Sequence, residues 1–270
     1  MKTQTIRDLL WIWGMEVNAL QKTGEYGKLG FGTSTMTVED AIHRTGITNI
    51  YVAGHLPLEE KTLAEMPSAR RIVLKSGIHN VTDGPPVIDR NDYLEKLRKA
   101  KHLSAIDNRA ETFHMDDFSV TSINAKVTAE HMADFQHANV SAWPQLPVGM
   151  TVYPPHLDRP ELPAFFKYFA YFMLPLWHGD QIETLPAVLE RLSKFTGGKP
   201  VVACLYVYDF GNQQLTSRES MAKQLEVTET MLRKKDIAGL CILGTCMMDL
   251  DWESNHYFYE WLDRVGDQTI

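Results

Sequence analysis

The sequence predicts a single (β/α)8 barrel, an α/β fold, and three observations predict it. Apolar, β-branched runs alternate with capped or amphipathic stretches eight times along the chain, which implies a parallel sheet. The length, 270 residues, matches the roughly 250 residues typical of one such barrel. The glycines after the first run, Gly27, Gly30 and Gly32, have the wrong spacing for the Gly-x-Gly-x-x-Gly turn of an open dinucleotide-binding sheet, and no Walker-type phosphate loop occurs. Eight units without a long extra block are read as one closed domain over residues 1–270.

Asp8–Gly14, Asp-Leu-Leu-Trp-Ile-Trp-Gly, is the first strand, followed by a Gly-rich loop. Thr37 with Asp40 three residues on opens a short helix to Arg44 in the manner of a capping box. Ile47–Ala53 is the second strand, closed by Gly54-His55, and Leu58–Glu65 is a helix. Arg71–Lys75 is the third strand, before a loop carrying His79, Asp83 and Pro85-Pro86. Asn91 caps a helix through Lys101, and Glu111–Met115 is the fourth strand, ending in Asp116-Asp117-Phe118. Thr128 caps the next helix, to Ala138. Val148–Tyr153 is the fifth strand, stopped by Pro154-Pro155-His156. Pro160–Phe169 reads as a helix with its proline in the first turn, where a missing N–H does no harm. Tyr171–Leu176 is the sixth strand, ending at Trp177-His178-Gly179-Asp180, and Thr184–Phe195 is a helix. Residues 201–208, Val-Val-Ala-Cys-Leu-Tyr-Val-Tyr, form the most apolar strand of the chain, followed by Asp209-Phe-Gly-Asn212. Arg218–Lys235 is the longest helix, with Ser217 as its N-cap. Ile237–Leu243 is the last strand, and Trp252–Val265 the closing helix.

Composition excludes several classes. Hydrophobic residues are 44% and charged residues 23% of the chain, ordinary for a globular protein. A net charge of −7, with no basic run longer than Arg233-Lys234-Lys235, argues against nucleic acid as a partner. The apolar run Leu9–Met15 ends at Glu16 without a cleavage pattern. No signal peptide and no membrane span are expected, hence a cytoplasmic protein. Cys204, Cys241 and Cys246 have no metal-type spacing and read as buried free thiols. No cofactor is expected, and the oligomeric state is left open.

Function is sought where such barrels put it, at the C-terminal ends of the strands. Those ends carry Glu16, His55, Lys75, the Asp116-Asp117 pair, Tyr153 with His156, Trp177 with His178 and Asp180, Tyr208 with Asp209, and Thr245 with Asp249. Several acids, three histidines and indoles converging on one rim form a candidate site. Each residue also has a plainer reading. Asp209, Asp116 or Asp117 caps a turn, and Trp11, Trp13 and the tyrosines fill a core. In an extended strand neighbouring side chains point to opposite sides, so one member of the Asp116/Asp117 pair is expected to face the pocket.

Acids ending strands four and seven, with Trp and Tyr around them, resemble the (β/α)8 glycoside hydrolases. The Trp-x-Trp start and Tyr-x-Tyr-Asp-Phe-Gly-Asn are also similar to bacterial barrel proteins linked to polysaccharide breakdown. The resemblance implies Asp116 or Asp117 as acid/base and Asp209 as nucleophile or base. The largest clan has Asn-Glu and Glu in those places, a departure here. Cleaving a glycosidic bond needs one acid to protonate the leaving oxygen and a carboxylate opposite it. A carbohydrate is the implied partner. Its binding residues are expected among Trp11, Trp13, Glu16, His55, Tyr153, Trp177, His178, Tyr206, Tyr208 and Asn212, since flat rings fit the C–H face of a pyranose and amides bond its hydroxyls. The rivals are a metal-dependent sugar isomerase, epimerase or deacetylase using His55, His79, His156 and His178, and a non-catalytic carbohydrate-binding barrel. The first strand lacks a His-x-His pair, and no His-Glu-x-x-His occurs.

Overall fold

The computed structural model describes residues 3–22, 26–53, 56–76, 90–119 and 127–270. Eight parallel strands close into a barrel: β1 (Leu10–Gly14), β2 (Asn49–Val52), β3 (Arg71–Ser76), β4 (Ala110–Met115), β5 (Val148–Thr151), β6 (Tyr171–Pro175), β7 (Val201–Tyr206) and β8 (Gly239–Leu243). Each pairs with the next, and β8 returns to β1 in the register Leu10↔Leu240 to Trp13↔Leu243. Most of the strands are apolar runs because both their faces are covered, one by helices and one by the barrel interior. Ile12, Ile50, Ile72, Leu74, Phe113 and Phe172 are fully buried, and burying each such side chain contributes roughly 1.5–3 kcal/mol.

The helices around the barrel are α1 (Ala19–Lys22), α2 (Val38–Thr45), α3 (Glu60–Ala64), α4 (Arg90–Ile106), α5 (Ala129–Val140), α6 (Leu185–Thr196), α7 (Arg218–Lys234) and α8 (Glu253–Val265). Local chemistry sets their starts. Thr37 and Asp40 form the expected capping box, each side chain accepting from the other's backbone N–H at 3.1 Å. Thr128 and Ser217 accept from the N–H groups three residues on. These bonds satisfy donors that the first helical turn leaves open.

Two expectations change. The stretch Pro160–Phe169 is not an α-helix: Leu162–Tyr168 is a 3-10 segment, and it follows another over Pro154–Asp158. Pro154, Pro155, Pro160 and Pro163 remove N–H donors at intervals that an i→i−4 ladder cannot absorb. The strand expected over 201–208 stops at Tyr206. The chain then forms a small antiparallel hairpin, Tyr208–Asp209 against Gln214–Leu215. Thr216 donates its hydroxyl to the Tyr206 carbonyl and Ser254 donates to that of Val207, pinning this rim element to the barrel mouth.

Candidate active site

The site begins on β4, whose even-numbered residues share one face. His114 meets Trp13 of β1, Tyr51 of β2 and Tyr171 of β6 at ring-centroid distances of 6.4, 5.5 and 5.7 Å. Strands that are not neighbours meet only through the barrel interior, so His114 lies inside it. Asp116 continues this inward face one step beyond the strand. Its Oδ2 lies 2.6 Å from the Lys75 ammonium at the end of β3, and its Oδ1 accepts the Thr151 hydroxyl of β5 at 2.8 Å. Lys75 also sits 4.7 Å over the Trp13 ring.

Strict alternation would turn Asp117 away from the mouth. The chain has left the strand, however, and Asp117 takes φ +52°. Aspartate tolerates this left-handed conformation better than most residues, yet it costs of order 1–3 kcal/mol. The turn brings its carboxyl to the segment just after β5, where the Tyr153 hydroxyl donates to Oδ1 at 2.6 Å. Both acids therefore belong to the site, one above the other.

Their surroundings drive their proton affinities apart. Burial alone would raise Asp116, but the Lys75 ammonium and the bonds from Lys75 and Thr151 outweigh it and hold the carboxyl below its ordinary value. The Lys75 charge acts on Asp117 only as a minor offset. Burial, then the negative charge of Asp116, push it up to about 7, against the partial offset of the Tyr153 bond. An ionised carboxylate beneath a protonatable one is the division of labour that acid–base chemistry uses.

Asp117 and Tyr153 open into a cavity of about 350 Å³ walled by Pro154, Pro155, His156, Trp177, His178 and Gln181. Trp177 is the exposed aromatic face, 36% accessible. It leans on Tyr153 at 5.8 Å and stacks on Tyr206 at 6.3 Å. His178 shares a bond with the Asn212 amide oxygen at 3.2 Å. Only glycine fits at 211, since a Cβ there would lie 2.4 Å from the His178 ring. His156 bonds Ser119 Oγ through Nδ1 at 2.8 Å, and burial lowers its pKa.

The structure thus gathers Asp116, Asp117, Tyr153, Trp177 and His178, with Tyr206 and Asn212 backing them. Other expectations are corrected. Trp11 and Trp13 lie inside the barrel, both 6% exposed, packed on Tyr51 at 5.2 and 5.6 Å; they offer no face to a sugar. Glu16 pairs with Lys22 at 3.5 Å in solvent, away from the cavity wall. Tyr208 packs on Phe31 at 4.6 Å and Trp252 at 6.0 Å. Asp209 does not line this cavity. Its oxygens accept from the Gly179 and Asn212 backbone N–H groups and the Asn212 side-chain amide, at 2.9, 2.8 and 3.0 Å, the arrangement of a turn-holding carboxylate. His55 lies outside the described residues, as do His79 and Asp83. Among the described residues, no three His, Cys, Asp or Glu side chains are gathered as a metal site would gather them.

Sequence reasoning missed Thr151 and His114, and it noted Lys75 only as a strand end. The available signal was an ionisable or hydroxyl residue on the inward register of an otherwise apolar strand.

No protein-family model and no curated protein matches the chain. Among solved structures it is similar to the Bacillus megaterium spore cortex-lytic enzyme SleL, with a TM-score of 0.55 and 10% identity over 95% of this chain and 74% of that one. The catalytic domain of a hyperthermophilic chitinase from Pyrococcus furiosus gives 0.54 and 11% over 96% of each. A Bacteroides uniformis β-glucuronidase gives 0.53 and 11% over 76% of this chain. This chain spans 28% of that larger protein. At such identities the likeness is one of fold: a closed (β/α)8 barrel of the kind these enzymes share.

Proposed function

We propose that the chain is a glycoside hydrolase-like enzyme in which Asp117 is the proton donor. One observation carries the reading: a carboxyl raised to about 7 faces a cavity of about 350 Å³ whose wall carries the exposed Trp177 ring. A glycosidic oxygen leaves poorly as an alkoxide, and an acid still protonated near neutral pH removes that difficulty. The indole offers an apolar platform for a pyranose face. Asp116, fixed as an anion by Lys75, lowers the energy of positive charge developing at the anomeric carbon; water then adds to that carbon and gives its proton to the Asp117 carboxylate, which restores the acid. Asp209 holds the rim turn that positions His178 through Asn212. The names of the similar structures support a carbohydrate substrate; they span chitin-type and glucuronide chemistry, so the class proposed is a glycoside rather than one sugar.

The test is turnover on a panel of polysaccharides and aryl glycosides by the native chain and by Asp117→Asn. The reading expects native turnover, its loss in the variant on glycosides with poor leaving groups, and partial retention on activated aryl glycosides. Full turnover by Asp117→Asn on poor leaving groups would end it.

A further inference from the structure

The interior of the barrel contains a chain of polar groups that no step above uses. His114 is fully buried. Its Nε2 lies 2.9 Å from Thr151 Oγ1, and its Nδ1 lies 3.2 Å from the Tyr171 hydroxyl. Thr151 in turn lies 2.8 Å from Asp116 Oδ1.

Hydrogen-bond counting fixes every direction in this chain. An ionised carboxylate only accepts, so the single Thr151 proton goes to Asp116. The Thr151 oxygen must then accept, so His114 Nε2 carries a proton. A neutral ring has one N–H, which makes Nδ1 an acceptor and the Tyr171 hydroxyl its donor. The ring stays neutral because burial drives its pKa down to about 3. Room for this arrangement is built into the neighbouring strand. A Cβ at Gly149 would lie 2.1 Å from the Tyr171 ring, so glycine there lets the phenol reach His114.

We propose that His114 and Thr151 are positioning residues, a one-way donor chain ending on Asp116 that keeps this carboxylate anionic beneath Asp117. Its purpose depends on the reading of Asp117 as the acid, but its existence does not. Other groups facing the acidic pair are Lys75 from β3, Tyr153 from the segment just after β5, Tyr206 from β7 and Cys241 from β8. Lys75 is the cation among these, and the tyrosines and the thiol are held neutral by burial. None of these supplies the Thr151 proton.

The experiment is nuclear magnetic resonance on the full chain, independent of any substrate. With ring-15N histidine, one signal set should show a bare Nδ1 and a protonated Nε2, unchanged from pH 5 to 8, and should vanish in His114→Gln. With carboxyl-13C aspartate, Thr151→Val should make Asp116 about tenfold easier to protonate, the scale of a lost bond to a charged group. Thr151→Ser should restore it. Thr151→Val conserves shape and keeps the test available if His114→Gln does not fold. An Nδ1–H tautomer, a ring that titrates between pH 5 and 8, or an Asp116 midpoint unmoved by Thr151→Val would each overturn the proposal. Failure of glycoside turnover with these signals intact would count against the proposed reaction only.

Discussion

Replacing Lys75 with methionine tests the foundation of the site, because it removes the cation while keeping most of the side-chain volume. The two charged side chains are only 4% and 9% exposed and stand 2.6 Å apart, so solvent screening does little to soften the loss. Breaking a buried pair by removing one partner costs about 3–5 kcal/mol, since the other charge is left uncompensated. For a chain of this size that corresponds to a fall in Tm on the order of 10 °C. The loss of the ammonium over Trp13 adds to it, by about 0.5–2 kcal/mol. Protonation caps the penalty. Without Lys75, burial raises Asp116 instead of being outweighed, and a raised carboxyl has its stability at low pH and loses it as pH rises. In the native chain Asp116 is depressed, and its contribution is present above the ordinary carboxylate range. The cost of Lys75→Met should therefore be largest at pH 8 and shrink towards pH 5. Urea denaturation at both values measures it. The double variant Lys75→Met/Asp116→Asn should recover much of the loss, because it removes both charges. A cost below about 1 kcal/mol at pH 8, or a double variant no more stable than the single, would refute the claim that Asp116 is held as an anion by Lys75.

Three further outcomes are expected. Asp117→Asn should lower kcat about 10²–10⁴-fold, and in the native enzyme kcat/KM should fall as pH rises through about 7. The raised Asp117 stabilises the native state below the ordinary carboxylate range and loses that contribution between about 4 and about 7, so Asp117→Asn should be no less stable than the native chain at pH 8. Asp209→Asn takes charge from a carboxylate with three donors and should cost about 1–3 kcal/mol in denaturation while kcat changes only several-fold; a loss of orders of magnitude with stability intact would return Asp209 to the chemistry. Gly149→Ala drives a methyl into the Tyr171 ring and should cost at least 1–3 kcal/mol, read as a lowered urea midpoint.

The architecture was legible because it rests on repetition. Each of the eight apolar runs lies within a residue or two of an observed strand, and the caps at Thr37, Thr128 and Ser217 act through bonds of three-residue range. The helix expected over Pro160–Phe169 is a 3-10 segment instead, because proline early in a helix favours it whereas several prolines at short spacing exhaust the donors. Tyr208 and Asp209 were read as strand end and site because their run is apolar. Whether that run continues or folds into a hairpin is decided by Thr216 and Ser254, which are distant in sequence. Trp11 and Trp13 were placed on the rim by composition; the inward register of β1 puts both indoles in the core beside Tyr51.

Asp116 and Asp117 are the same residue type at adjacent positions, so sequence alone gives them one identity and two possible directions. What separates them comes from elsewhere in the chain. Lys75 arrives from β3 and Thr151 from β5, and both bond the acid that keeps the inward register of β4. The second acid escapes the alternation because its backbone adopts φ +52°, a choice that Asp allows but does not announce. Once there, it is raised by burial and then by the charge its neighbour is forced to keep. The proton affinity of Asp117 thus depends on burial first and on the ion pair below it second: weaken the anion and the proton is shared between the two carboxyls, strengthen it and Asp117 holds the proton more tightly. Under the proposed reaction, conservative exchange at Lys75 should consequently alter the alkaline limit of activity. A cation-to-arginine change, which keeps charge but not the compact ammonium, would separate the electrostatic part of that effect from the geometric one.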